Sequence, residues 1–160
     1  MRYKLELKWG FVFMASMLIW MTFERLVGLH STHIDQHPTY TNLFSIVAIL
    51  VYVFALRDIR NKRFDGSMTW KQGFLRGVMI SIIVMLLSPL GQLITHYVIS
   101  PEYFSNVIKY SVESGLQIRV EAEEYFNLKN YIVQSTIGAP LMGIVTSAIV
   151  AFFLKSKSEG

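Results

Sequence analysis

Four long apolar stretches, separated by short polar blocks, dominate the chain of 160 residues. They run over about residues 9–29, 40–56, 74–99 and 131–154. A hydrocarbon core takes roughly 20 apolar residues in helical form. Backbone amides surrounded by lipid must find partners within their own segment. Each stretch is therefore predicted as a transmembrane α-helix, and the chain as one all-α membrane domain. The two halves carry no inverted repeat.

The connections have readable punctuation. Asp65-Gly66 signals a turn. Thr69-Trp70-Lys71-Gln72 has the spacing of a capping box, so the third helix is expected to begin near Trp70 and to enter the membrane after Arg76, whose long side chain would snorkel back to the surface. Ser100-Pro101 suits an N-cap followed by proline at the first helical position. Tyr103, Phe104, Val107, Ile108 and Val112 then recur at helical spacing, and Gly115 would stop that helix. A short amphipathic helix over about 101–114 is predicted there, lying on the outer leaflet or lidding the bundle. The segment from Glu121 to Tyr125 is expected to form the polar first turns of the fourth span.

Composition agrees with lipid as solvent. Hydrophobic residues make up 52% and charged residues 16%, well below the quarter or so of a soluble domain. The N-terminal Arg2, Lys4 and Lys8 precede an apolar run too long for a signal peptide, and Glu24-Arg25 stand where a cleavage site would follow. The run is read as an uncleaved first helix. The formal charge of +4 flanks apolar segments and forms no stripe with interleaved aromatics. It marks topology and not nucleic-acid binding.

Arg2, Lys4 and Lys8, the loop with Arg57, Arg60, Lys62, Arg63 and Lys71, and the tail with Lys155 and Lys157 fall on one side. The stretch from Leu29 to Tyr40 has neither Lys nor Arg, and glutamates outnumber cations between Ser100 and Asn130. Both termini are expected in the cytoplasm, in a bacterial inner membrane. With no cysteine in the chain, disulfides, thiolate metal sites and a cysteine nucleophile are excluded.

Ser135, Ala139, Gly143, Ser147 and Ala151 recur every fourth residue in the last span. Gly73, Gly77 and Ser81 make a shorter version in the third. Small residues let helix backbones approach closely in lipid. The stripes would either hold the four helices together or receive a second copy or another membrane protein. Pro89, after Ser88, is expected to bend the third helix.

Ionisable groups in a span are costly and count as functional candidates. Glu24 and Arg25 are adjacent charges in the first span, with Gln92 and His96 near the same level in the third. The bland alternative has Arg25 snorkelling outward while Glu24 pairs with a polar neighbour. His30, His33, Asp35 and His37 crowd the first outer loop. With Glu24 and His96 they could hold a metal through nitrogen and carboxylate ligands, or sense pH. They could equally be plain interfacial histidines, because their spacing matches no standard metal motif. No phosphate loop, nucleophile elbow, His-Glu-x-x-His or dinucleotide turn is present. No enzyme activity and no cofactor are expected.

The chain also resembles a family of small bacterial membrane proteins, common in Bacteroidetes and labelled domain of unknown function 4199. The resemblance rests on Lys8-Trp9-Gly10, Glu24 with Gly28-Leu29-His30, Tyr40-Thr41-Asn42, Ala55-Leu56-Arg57-Asp58 and Met68-Thr69-Trp70-Lys71-Gln72-Gly73-Phe74. Ser88-Pro89, Ser100-Pro101, Tyr125-Phe126-Asn127-Leu128 and the fourth-span stripe complete it. It implies a membrane location and no activity. The expected function is a non-enzymatic accessory or assembly subunit in the lipid bilayer, as a homo-oligomer or with another membrane protein. The alternatives are a small transporter or channel using Glu24, with Pro89, Gln92 and His96 along its path, and a metal or pH sensor built on the outer histidines.

Overall fold

A computed structural model describes residues 3–156. Among them there are only helices: α1 (Lys4–Leu26), α2 (His37–Thr41), α3 (Phe44–Arg63), α4 (Trp70–Ile94), α5 (Tyr103–Glu113), α6 (Arg119–Tyr125) and α7 (Leu128–Leu154). A π-helical turn, Thr95–Ile99, extends α4. Four helices are long and apolar enough to cross a membrane, which makes this a multi-pass membrane protein: α1, α2 with α3, α4 with its π turn, and α7. They form a bundle whose apolar side chains mostly face outward, as lipid permits and water does not. The first and last described residues, Tyr3 and Ser156, lie at one end of the bundle, termed here the terminal end. The opposite one is the distal end.

The spans start earlier and run longer than hydropathy alone suggests. α1 begins at Lys4 and not near Trp9, so Glu6 and Lys8 are helical. α3 continues to Arg63, beyond the apolar run. The capping box at α4 forms as read: Gln72 N–H donates to Thr69 Oγ1, and Thr69 N–H donates to Gln72 Oε1 over 2.8 Å. Two expectations are corrected. Ser100 does not cap α5, because it closes the π turn with its N–H on Thr95 O, and α5 starts at Tyr103 without a side-chain cap. Glu121 to Tyr125 belongs to a separate helix, α6, because Asn127 takes an extended backbone and caps α7 through its side chain. Gly115, at φ 69°, ends α5 as expected, with Leu116 N–H on Ser111 O and Gly115 N–H on Val112 O.

The small-residue stripes meet each other. α4 makes its most extensive contact with α7. Gly73 lies against Ala151, Gly77 against Ser147, and Gly143 against Ser81 and Tyr52. A Cβ at Gly77 or Gly143 would collide with those side chains, so the two helices close at backbone distance. Tyr52 and Ser81 share a buried hydrogen bond of 2.7 Å beside the seam. This part of the stripes is internal glue.

Two prolines sit inside spans, Pro89 and Pro140. Proline removes the amide that would have bonded the carbonyl four residues back. For Pro89 that carbonyl belongs to Met85, and Ser88 Oγ–H donates to it instead, at 2.9 Å.

At the terminal end, Glu6 is fully buried. Its Oε1 accepts from Arg63 at 2.8 Å and Arg76 at 3.0 Å. Arg76 therefore ties α4 to α1 and does more than snorkel. Asp58 accepts from Lys8, Lys62 and the Trp9 indole, each within 2.9 Å. Arg60 donates to Leu154 O at the end of α7, where a cation suits the helix dipole.

Candidate functional site: a buried carboxylate and two imidazoles

Glu24 lies in the last turn of α1. Gly28, at φ 82°, ends that helix: Leu29 N–H bonds Glu24 O and Gly28 N–H bonds Arg25 O. A residue with a side chain would be strained in that conformation and would strike Thr32 and His33. The turn sends the chain back across the distal end and anchors it through buried Leu29 and Ile34. It brings His30, and then His37 at the first position of α2, over the Glu24 carboxylate.

Glu24 is fully buried and His30 is 4% exposed. One carboxylate oxygen, Oε1, accepts from Trp20 Nε1 at 2.6 Å. The other, Oε2, faces His30 Nε2 at 3.2 Å and His37 Nε2 at 3.3 Å. No arginine or lysine is ion-paired with Glu24 among the described residues. The three ligand atoms lie within 4.8 Å of one another, a set able to hold a metal ion.

α5 lids this cluster. Tyr103 holds its ring, tilted, 5.1 Å from His30 and 5.2 Å from His37. Its hydroxyl lies 3.4 Å from His37 Nδ1 and 3.1 Å from the Tyr131 hydroxyl. Burial, reinforced by the neighbouring Tyr131 phenol, pushes the Tyr103 hydroxyl well above its ordinary range, so it stays protonated. Asn106 donates to His30 O at 2.9 Å and fixes the loop beneath.

The sequence candidates thus divide. Glu24, His30 and His37 converge. Arg25 is exposed, and so are His33 and Asp35. The His33 ring turns back to Val27 O. His96 packs against the rings of Tyr97 and Phe104. Trp20, Tyr103 and Tyr131 were not legible as partners. Trp20 stands one helical turn before Glu24, which is the one local signal available.

A second feature lies beside the first. A cavity of about 530 Å³ separates α3 from the distal half of α7, with α1 and α4 behind it. Its lining residues Ser45, Ile49, Gln134 and Met142 are exposed, so it opens sideways between α3 and α7. Asn42, Gln92, Tyr131 and Gln134 bring polar groups to its walls, and Phe13, Met14, Val84 and Leu87 make an apolar floor. Ser135 and Ala139, the distal members of the α7 stripe, line it too. Among the sequence candidates, Gln92 lies here and apart from the Glu24 cluster.

An all-helical, multi-pass bundle with a lidded carboxylate–imidazole centre and a lateral cleft is an integral membrane protein of four spans. The chain belongs to the family described as "Protein of unknown function (DUF4199)", whose model matches residues 8–156. This bears out the resemblance read from the short strings. No curated protein and no solved structure matches.

Proposed function

We propose that the chain is a non-enzymatic accessory or assembly subunit of a bacterial cytoplasmic membrane, and that its α3–α7 cleft receives a transmembrane helix of another membrane protein. The termini and the Arg57–Lys71 loop face the cytoplasm in this reading, and the Glu24 centre faces the opposite side. The Lys and Arg asymmetry supports that orientation.

The observation that carries the proposal is the contrast between the two halves of the α7 stripe. Gly143, Ser147 and Ala151 are filled from within the chain. At Gly138, a Cβ would meet no atom within 4 Å, and Ala48, Ser45, Ser135 and Ala139 leave the cleft walls low. Small residues and amides on an open helix face are what helix association in lipid uses, because tail-like side chains gain nothing by leaving lipid. The transport alternative has less behind it. Gln92 lines the cleft, whereas Glu24 is enclosed by Trp20, His30 and His37.

Photo-crosslinking in native membranes tests this. A photoreactive residue at Gly138 or Ala48 should give a discrete protein adduct, and one at exposed Phe153 should give lipid adducts alone. Lipid adducts alone at all three positions contradict the proposal. The absence of cysteine also allows clean single-cysteine labelling. An impermeant maleimide should label Ser114→Cys in intact cells and leave Asn61→Cys untouched.

A further inference from the structure

The distances around Glu24 Oε2 sit at the long limit of hydrogen bonding. Neutral N–H···O bonds centre near about 2.9–3.0 Å, and charge-assisted ones are shorter. The two contacts here are 3.2 and 3.3 Å. In a tetrahedral zinc site, bonds of about 2.0–2.2 Å place neighbouring ligand atoms about 3.3–3.5 Å apart. The contacts therefore match two edges of a zinc tetrahedron, with the whole trio inside 4.8 Å.

We propose that Glu24, His30 and His37 bind one zinc ion at the distal end of the bundle. Two imidazole nitrogens select a transition metal over calcium or magnesium, which take oxygen ligands. The surroundings of Glu24 and His37 supply what such a site needs, while His30 Nδ1 is buried without a hydrogen-bond partner among the described residues. Trp20 Nε1 holds the non-ligating carboxylate oxygen and so fixes which oxygen faces the ion. With Nε2 on the metal, His37 Nδ1–H donates to the Tyr103 hydroxyl, which then donates to Tyr131. A polar depression of about 340 Å³, lined by Arg25, Ser31, Ser100 and Glu102, reaches His30 and gives an approach from water. Three protein ligands leave a fourth position open. His37 opens α2, which leads into α3, so the ion would fix one wall of the cleft. The inference stands on the cluster alone and does not depend on what fills that cleft.

Cobalt(II) reports on the site directly, since tetrahedral nitrogen–oxygen coordination gives intense visible bands. The full-length chain, stripped with chelator and held in nanodiscs, should take up one cobalt with such a spectrum, and zinc should bleach it. Glu24→Gln, His30→Gln and His37→Gln should each weaken zinc binding on the order of a hundredfold. His33→Gln, Asp35→Asn and His96→Gln should bind as the unaltered chain does. Should Glu24→Gln fail to fold, His37→Gln carries the same test, because its ring is at the head of α2 and 16% exposed. An unaltered chain without a tetrahedral cobalt spectrum overturns the proposal. So does a spectrum that survives His30→Gln and His37→Gln.

Discussion

The bundle buries one glutamate near each end, and the two are served differently. Glu6, at the terminal end, meets two arginines on a single oxygen. Glu24, at the distal end, meets an indole and two imidazoles. Arginine is always charged, so the Glu6 cluster carries its counter-charge in the sequence itself. Histidine is charged only when protonated, and its neutral nitrogen is a metal ligand. The Glu6 cluster is thus charge-paired through Oε1 and ties α1 to α3 and α4, while Oε2 is buried without a hydrogen-bond partner among the described residues. The Glu24 cluster has a partner within the chain for each carboxylate oxygen but no fixed counter-charge among the described residues, and the proposed zinc would supply one. Burial alone does not separate a lock from a site; the permanence of the partners' charge does.

Breaking the arginine-paired cluster should cost most. Arg63→Met with Arg76→Met leaves Glu6 buried without a counter-charge, and should destabilise the bundle by about 3–5 kcal/mol. Denaturation in mixed micelles would measure it, and a loss under about 1 kcal/mol would show that Glu6 is not the lock described. Glu24→Gln in metal-free protein should cost only about 1 kcal/mol, because its amide oxygen still accepts from Trp20 and no charge is stranded. A loss as large as that of the double arginine variant would erase the contrast between the two ends.

The smallest effect concerns the lid. The Tyr103 hydroxyl is held above its ordinary 10.0 by burial. It therefore contributes stability that is intact below pH 10 and is lost as pH rises past that value, since the unfolded chain ionises first. Alkaline unfolding should begin at lower pH in the unaltered chain than in Tyr103→Phe, once each is referred to its own neutral-pH stability. Identical alkaline profiles would place the hydroxyl in water.

The contrast between the ends also separates what the sequence discloses from what it hides. Spans follow from apolar length, and the α4 start follows from a local motif, Thr69 with Gln72. The stripes were legible because small residues recur at one helical spacing. The Glu24 cluster was half legible. Glu24 and the outer histidines stand out by residue type, but His33 and Asp35 lie as near in sequence as His30. The reversal at Gly28 and the short α2 decide which rings turn inward, and that is settled by backbone geometry over a dozen residues. Glu6 was hidden for another reason. It precedes the apolar run, so nothing short of tertiary packing tells it from a solvated first-turn glutamate. The cleft was equally invisible, because it depends on where α3 and α7 part.

The claim that the distal centre takes its fixed counter-charge from outside the chain has one direct test. Unfolding midpoints are compared with saturating zinc and with chelator for the unaltered chain, Glu6→Gln and Glu24→Gln. Zinc should raise the midpoint of the first two and leave Glu24→Gln where chelator leaves it. A midpoint indifferent to zinc in the unaltered chain, or an equal rise in Glu24→Gln, would contradict the account.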